Sequence, residues 1–341
     1  MKKLQIPTTA KTSLKNSKIE FLSFIITICL IIASCSQKIS SLISTSESFP
    51  HEDTITVEEI KNLEFKKSNY CQEETDICIC YYYGKPLEDE EIQYSSEFNI
   101  RGIESIVNLK LTRDSLEKKH SGTVILIHGF RASKEFMLNS ALYFRFLGFE
   151  VVVPDLLGHG ESSEGKKYGV DDSKFINGLI DNLISKGIIT DKNIYLVGNS
   201  MGGLTAARIS SLREDIRGII LLAPILSFDK AMYNYFKATH PLLSKIIPQK
   251  DIYKGASLAL EEADIKLDDT HIKPLLTASN TPILIFSSTA DLIAPHKDFE
   301  DLNRENIKVV ALKGRNHPSM SLIGINEHEV LSRWLVEIES R

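Results

Sequence analysis

The chain has 341 residues, of which 43% are hydrophobic and 25% charged, and its formal net charge is −5. These values are ordinary for a globular protein with one large domain, and they argue against a disordered or fibrous chain. Charges of both signs are interspersed, without the basic stripe that binding to phosphates requires, so we expect no nucleic-acid partner.

The first residues have the layout of a secretory signal. Five lysines within the first twenty residues precede the apolar run Phe21 to Ile32, which is followed by Ala33-Ser34-Cys35. The run has roughly a dozen residues, whereas a spanning helix needs about 20, so a leader is favoured over a permanent transmembrane helix. We therefore predict a signal peptide over residues 1–34.

The segment Ile32-Ala33-Ser34-Cys35 resembles the lipobox of bacterial lipoproteins. The resemblance implies that Cys35 becomes a lipidated N-terminus that anchors the protein to a membrane of the bacterial cell envelope. Ser36, rather than Asp, follows the cysteine, which resembles outer-membrane sorting in diderm bacteria. The alternatives are an ordinary signal peptide with a chance cysteine, or a cytoplasmic protein.

The segment after the leader is rich in Ser, Thr and Glu, with little apolar periodicity, so residues 35–70 are predicted to form a lipidated N-terminus and a flexible tether. The domain itself is expected over residues 71–341. Export would allow Cys71 to form a disulfide with either Cys78 or Cys80. No histidine completes a recognised metal-binding spacing with these thiols, so we expect no metal.

From about residue 104, short apolar runs alternate with helix-compatible segments, which predicts an α/β fold with a mostly parallel sheet. The runs are continuous, so both faces of each strand should be buried. An exposed antiparallel edge strand is expected at Ile106–Thr112. The alternation breaks between Pro224 and Pro282, where we expect a small helical cap over about residues 225–281. The other predicted strands are Thr123–Ile127, Val151–Val153, Ile194–Val197, Ile219–Leu222, Ile283–Phe286 and Val309–Leu312, and the predicted helices include Lys134–Leu147, Lys174–Ser185 and Gly203–Leu212.

Gly198-Asn199-Ser200-Met201-Gly202 fits the G-x-S-x-G pattern of a nucleophile elbow and lies between a predicted strand and a predicted helix. Glycines two residues from the serine are needed because side chains there would collide with backbone in so tight a turn. A serine hydroxyl also needs a base, and that base needs an orienting carboxylate. Asp291 follows the predicted strand Ile283–Phe286, and His317 follows the predicted strand Val309–Leu312. Because the order serine, acid, histidine is the one this arrangement uses, we predict a catalytic triad of Ser200, Asp291 and His317.

Acyl transfer also requires hydrogen-bond donors for the oxygen that becomes negative. Met201, directly after the serine, and Phe130, in His128-Gly129-Phe130 after the first parallel strand, are the predicted sources of these backbone N–H groups. His128 itself is expected to be structural.

These residues together resemble the α/β-hydrolase superfamily over about residues 104–341. The stretch from Asp155 to Ser162 is similar to the D-x-x-G-H-G-x-S loop of the branch that contains monoacylglycerol lipases and serine aminopeptidases. The resemblance implies the α/β-hydrolase fold and a serine hydrolase without a metal or cofactor, and it gives His159 a structural role.

The function predicted from this pattern is cleavage of a small-molecule or lipid carboxylic ester through an acyl-enzyme on Ser200. A peptidase or thioesterase remains an alternative within the same chemistry. From another class, the alternative is a membrane-anchored binding protein that does not use its hydrolase scaffold for catalysis.

Overall fold

The computed structural model describes residues 35–49, 60, 62–73, 75–163, 165–190 and 193–340. The predicted signal peptide, residues 1–34, lies outside the described residues. Within the described part of the chain, no helix combines the length and the apolar character needed to cross a membrane.

Eight strands form one central sheet, and two more form a separate antiparallel hairpin. In the central sheet the order is β1-β2-β6-β5-β7-β8-β9-β10, where the pairs β1–β2 and β2–β6 are antiparallel and the others parallel. The mostly parallel sheet predicted from the sequence is confirmed. The strands are β1 (Lys66–Cys71), β2 (Cys78–Gly84), β3 (Glu91–Ile100), β4 (Ile103–Thr112), β5 (Thr123–Ile127), β6 (Glu150–Pro154), β7 (Ile194–Asn199), β8 (Ile216–Leu222), β9 (Ile283–Ser288) and β10 (Ile307–Leu312).

The core lies on both faces of this sheet. Every residue of β5, β7 and β9 is buried, and alternate residues of β5 enter two different apolar clusters. Ile125 and Ile127 pack in one cluster, whereas Val124 and Leu126 pack in the other. This two-sided burial is why the strands appear in the sequence as continuous apolar runs.

Helices fill the crossovers between the parallel strands. The predicted helix at Lys134–Leu147 begins with a 3₁₀ turn at Lys134–Met137. Three helices occupy the segment predicted as the cap. The helices are α1 (Leu138–Leu147), α2 (Asp172–Ser185), α3 (Met201–Leu212), α4 (Phe228–Thr239), α5 (Gln249–Glu262), α6 (Ile272–Ala278) and α7 (Ile325–Glu339).

The prediction for the sheet edge was wrong. Ile106–Thr112 lies in β4, which pairs with β3 in the separate hairpin and is not part of the central sheet. The antiparallel edge strand of the central sheet is instead β1, which pairs with β2, and β10 forms the other edge. A disulfide joins Cys71 to Cys78 across this pair, and Cys80 is buried without a bridge.

Two described parts of the predicted tether, residues 35–44 and 66–70, have regular secondary structure. Residues 35–44 are helical, and the second stretch belongs to β1. The Ser-rich composition concealed a helical repeat, since Ser36, Ser40 and Ile43 are buried on one face. The hydroxyl groups of Ser40 and Ser44 donate hydrogen bonds of 2.9 Å and 2.8 Å to Glu262 at the end of α5.

Candidate active site

Ser200 occupies the sharp turn between β7 and α3. Its backbone angles, φ 54° and ψ −118°, lie in a region that L-residues adopt only under strain. A Cβ added to Gly198 would lie 2.4 Å from the carbonyl oxygen of Gly202, and one added to Gly202 would lie 2.3 Å from that of Ile127. Both glycines of the pattern are therefore required by close backbone approach.

Ser200, His317 and Asp291 are joined by hydrogen bonds, and we call them the Ser–His–Asp group. Nε2 of His317 lies 2.8 Å from Oγ of Ser200, and Nδ1 lies 2.7 Å from Oδ2 of Asp291. An ionised carboxylate can only accept, so Nδ1 carries the hydrogen and Nε2 can accept the hydroxyl proton. This is the orientation that a general base needs.

The Ser–His–Asp group lies at the C-terminal ends of the parallel strands, because each member follows one of these strands. Ser200 follows β7, Asp291 follows β9 and His317 follows β10. Oδ1 of Asp291 also accepts the N–H groups of Ile293 and Ala294, at 2.7 Å and 2.9 Å. The carboxylate is 2% exposed, so these contacts fix its direction.

The two predicted oxyanion donors lie beside the serine. The cavity that contains Ser200 is also lined by Phe130 and Met201. Within the described part of the chain, the N–H of Phe130 donates to no protein group. Met201 is the first residue of α3, so its N–H has no acceptor within the helix. Both amides are thus available, and their role in the reaction stays a prediction.

His128 and His159 make structural contacts, as the sequence predicted for both. Nε2 of His128 accepts the N–H of Leu156 at 2.9 Å, and its Nδ1 donates to the carbonyl of Gly129 at 2.8 Å. Nδ1 of His159 donates to the carbonyl of Leu157 at 2.9 Å. Burial lowers the pKa of His128, and burial together with nearby His128 lowers the pKa of His159 to about 3. Both rings are therefore neutral near pH 7.

The loop that begins at Asp155 is held by a buried ion-pair network. Nζ of Lys134 lies 2.7 Å from carboxylate oxygens of both Asp155 and Glu161. Burial opposes the charge of Lys134, but the carboxylates of Asp155 and Glu135 raise its pKa above the ordinary value. Asp155, Glu161 and Cys80 bring three potential metal ligands within 4.8 Å of one another. Because Lys134 pairs with both carboxylates, this cluster is accounted for as an ion pair.

A cavity of about 440 Å³ opens beside Ser200 and His317, within the range of small-molecule sites. Its walls include three parts of the chain that are distant in sequence from the Ser–His–Asp group, and most of the lining side chains are apolar. No Asp or Glu is among the described residues that line it, and the cation Arg131 is. The β3–β4 hairpin contributes Phe98, Ile100 and Ile103, α4 contributes Ala231, Met232 and Tyr235, and the N-terminal segment contributes Phe49.

Asn316, directly before His317, is a site residue that the sequence analysis did not identify. Its side-chain Nδ2 donates to the carbonyls of Phe98 and Ile103, at 3.1 Å and 3.0 Å. These residues flank the hairpin turn at Arg101-Gly102, a glycine-containing pair that could have predicted a hairpin from the sequence. No pattern in the sequence indicates, however, that this hairpin contacts the loop that carries His317.

Comparisons with known proteins agree with this architecture. A family model described as serine aminopeptidase, S33, matches residues 118–271. Among solved structures, an esterase of Pyrococcus furiosus has a TM-score of 0.56 at 14% identity, covering 86% of this chain and 97% of its own. The chain has the α/β-hydrolase fold. A membrane phospholipase A, described as a bacterial virulence factor, has the same fold with a TM-score of 0.55 at 17% identity, covering 94% of this chain and 99% of its own.

Curated relatives match a shorter part of this chain. Lipase 1 of Psychrobacter immobilis is 29% identical over 136 residues, which are 38% of this chain and 41% of the relative. Monoglyceride lipase of Saccharomyces cerevisiae is 30% identical over 148 residues, which are 40% of this chain and 47% of the relative. The matched part of this chain thus spans less than half the length of these relatives.

Proposed function

We propose that this α/β-hydrolase is a serine hydrolase that cleaves carboxylic esters with an apolar acyl group. The observation that carries the proposal is the hydrogen-bonded Ser–His–Asp group at the wall of an apolar cavity. The similarity to a lipase and a monoglyceride lipase supports the same reaction class.

In the proposed reaction, Oγ of Ser200 attacks the ester carbonyl carbon while Nε2 of His317 takes the hydroxyl proton. Asp291 keeps the imidazole oriented and stabilises its positive charge. The N–H groups of Phe130 and Met201 would bind the oxygen that becomes negative, and one such donor typically contributes about 3 to 4 kcal/mol. His317 then returns the proton to the leaving alcohol, and water activated by the same ring releases the acid from Ser200.

An aminopeptidase is the main alternative, since the matching family model has that description. Such an enzyme must bind the ammonium group of its substrate, and a carboxylate is the natural partner for that charge. The described residues that line the cavity include no Asp or Glu, and Arg131 would repel an ammonium group. The cavity therefore favours an uncharged acyl chain over a peptide N-terminus.

We also propose that a lipid on Cys35 holds the enzyme at a membrane of the bacterial cell envelope. Two observations support this location: Cys35 is unbridged and partly exposed, and Cys71 and Cys78 form a disulfide of the kind found in exported proteins. Palmitate labelling in the producing bacterium should disappear in Cys35→Ser and persist in Cys80→Ser. Equal labelling of the two variants would contradict the anchor.

The enzymatic proposal is tested by labelling with a fluorophosphonate probe and by turnover of p-nitrophenyl esters. Ser200→Ala should lose labelling and lower kcat by a factor on the order of 10⁶. Ser287→Ala is a matched control, because Oγ of Ser287 also lies 2.8 Å from a histidine, Nδ1 of His296, but outside the cavity. Labelling that persists in Ser200→Ala, or that disappears only in Ser287→Ala, would overturn the proposal.

A further inference from the structure

Residues 35–49, which we call the N-terminal arm, lie against the cap and then reach the active-site cavity. The helical part of the arm packs on α5, where a Cβ added to Gly255 would lie 2.5 Å from the side chain of Ile39. The arm can therefore approach α5 closely because Gly255 has no side chain. Together with the hydrogen bonds to Glu262, this contact fixes the first half of the arm to the cap.

The second half of the arm is held by the loop that follows Asp155. Nζ of Lys166 donates to the carbonyls of Ser44 and Ser46, at 3.1 Å and 2.7 Å. The N–H of Gly160 donates to Oγ of Ser48 at 3.2 Å. A loop that is itself fixed by buried ion pairs thus positions the segment just before Phe49.

Arg131 joins the end of the arm to the loop that carries the predicted oxyanion donor Phe130. Its Nε donates to the carbonyl of Glu47 at 2.9 Å, and its own carbonyl accepts the N–H of Phe49 at 2.7 Å. The guanidinium carbon lies 4.2 Å from the centre of the Phe49 ring, and Nη1 donates to the hydroxyl of Tyr235 on α4 at 3.3 Å. One side chain therefore connects the arm, this loop and the cap.

The backbone of Arg131 has φ 61°, in the left-handed region that a non-glycine residue seldom adopts. Such a conformation costs on the order of 1 to 3 kcal/mol and persists where the surroundings hold it. Here the surroundings include the paired contacts with Glu47 and Phe49. Strained residues of this kind concentrate at functional sites, and this one adjoins Phe130.

We propose that Phe49 is a specificity-determining wall of the acyl site and that Arg131 is the residue that positions it. The inference rests on the proposed esterase function and deepens it. Phe49 lines the same cavity as Ser200 and remains 39% exposed, which places its ring where an acyl chain beyond the reacting carbonyl can contact it. The ligand class is an apolar acyl chain long enough to reach the arm.

The test compares kcat/KM for p-nitrophenyl octanoate with kcat/KM for the acetate in the full chain and its variants. Phe49→Ala should lower the octanoate-to-acetate ratio roughly ten-fold, because only the longer chain contacts the ring. The ratio does not depend on the fraction of active enzyme. Phe65→Ala is the matched control, since Phe65 lies 4.7 Å from the guanidinium of Arg145 in a similar pair that does not line the cavity.

Arg131→Ala should lower the same ratio, and the double variant with Phe49→Ala should lower it no further. This non-additivity is expected if Arg131 acts on specificity through Phe49. Arg131→Lys should restore little of the octanoate-to-acetate ratio, because a single ammonium group cannot reproduce the contacts of the planar guanidinium. An unchanged ratio in Phe49→Ala, or an equal fall in Phe65→Ala, overturns the inference while esterase activity stands. If the wild-type protein hydrolyses neither ester, both the proposed function and this inference are wrong.

Discussion

The reactive groups and the cavity walls of this protein are held in place by different means. Ser200, Asp291 and His317 each follow a parallel strand, so the sheet brings them together. The walls come from a hairpin, the cap and the N-terminal arm, and single side chains such as Asn316 connect these parts. The positions of the reactive groups thus depend on the sheet. Substrate preference depends instead on a few side chains that connect segments distant in the sequence.

The largest effect should come from a change within the Ser–His–Asp group. Asp291→Asn keeps an oxygen for the N–H groups of Ile293 and Ala294, but its amide can donate to Nδ1 of His317 and favour the wrong tautomer. We expect kcat to fall by a factor on the order of 10⁴, the size known for this change in serine proteases. Steady-state kinetics with p-nitrophenyl acetate measures it.

The matched control is Asp298→Asn, which alters a buried aspartate whose partner, at 2.7 Å, is Lys230. Its kcat should stay within about ten-fold of the wild type, as expected for a group outside the reacting atoms. Comparable losses in both variants would break the distinction between the reactive group and its surroundings.

An intermediate effect is expected from a change at Asn316, which connects the β3–β4 hairpin to the loop that carries His317. Asn316→Asp keeps the oxygen that accepts the N–H of Ser319, but it loses the donors to Phe98 and Ile103. The two lost hydrogen bonds should together cost about 2 kcal/mol, so KM for the octanoate ester should rise roughly thirty-fold, with a smaller change in kcat. Kinetics that separate the two constants measure this.

Asn306→Asp provides a control of the same chemistry, since Nδ2 of Asn306 also donates to two carbonyls, those of Ser279 and Thr281. These contacts lie away from the cavity, so KM should not change. A fall in kcat with constant KM in Asn316→Asp would mean that the residue acts on His317 rather than on the cavity wall.

The smallest effect on activity, and a clear one on stability, should come from His159. Its folded-state pKa is about 3, below the ordinary value of 6.5, because burial and His128 disfavour the charged ring. Below about pH 6.5 the unfolded chain binds a proton that the folded protein rejects, so stability should fall by a few kcal/mol as the pH drops toward 3.

Urea unfolding at a series of pH values measures this dependence. His159→Gln should flatten the slope while leaving turnover near pH 7 within a few-fold of the wild type. His128 acts in the same direction, so part of the slope should remain. His271→Gln, at an exposed position, is the control, and an equal flattening in that variant would contradict the assignment to His159.

Strands β5 to β9 could be predicted because they are buried on both faces and apolar along most of their length, and the elbow because a Cβ on either of its glycines would lie 2.3 to 2.4 Å from a backbone oxygen. The arm could not, because Ser40 and Ser44 satisfy their hydroxyl groups on Glu262, more than 200 positions away in the sequence. Arg131 could not either, since its left-handed backbone results from tertiary contacts and leaves no local pattern. Amino-acid composition therefore predicts a buried segment only where the buried side chains are apolar.

The bridged β1–β2 hairpin has a consequence for self-association. An outer strand exposes unpaired backbone groups that can recruit a strand from another molecule and begin aggregation. In the described structure β1 is such an outer strand, and five of its six residues are exposed, with Lys66 and Lys67 at its start. The Cys71–Cys78 bond prevents β1 from sliding against β2, and the two lysines would meet like charges on an incoming copy. The exposed outer strand β1 therefore resists pairing with strands of other molecules.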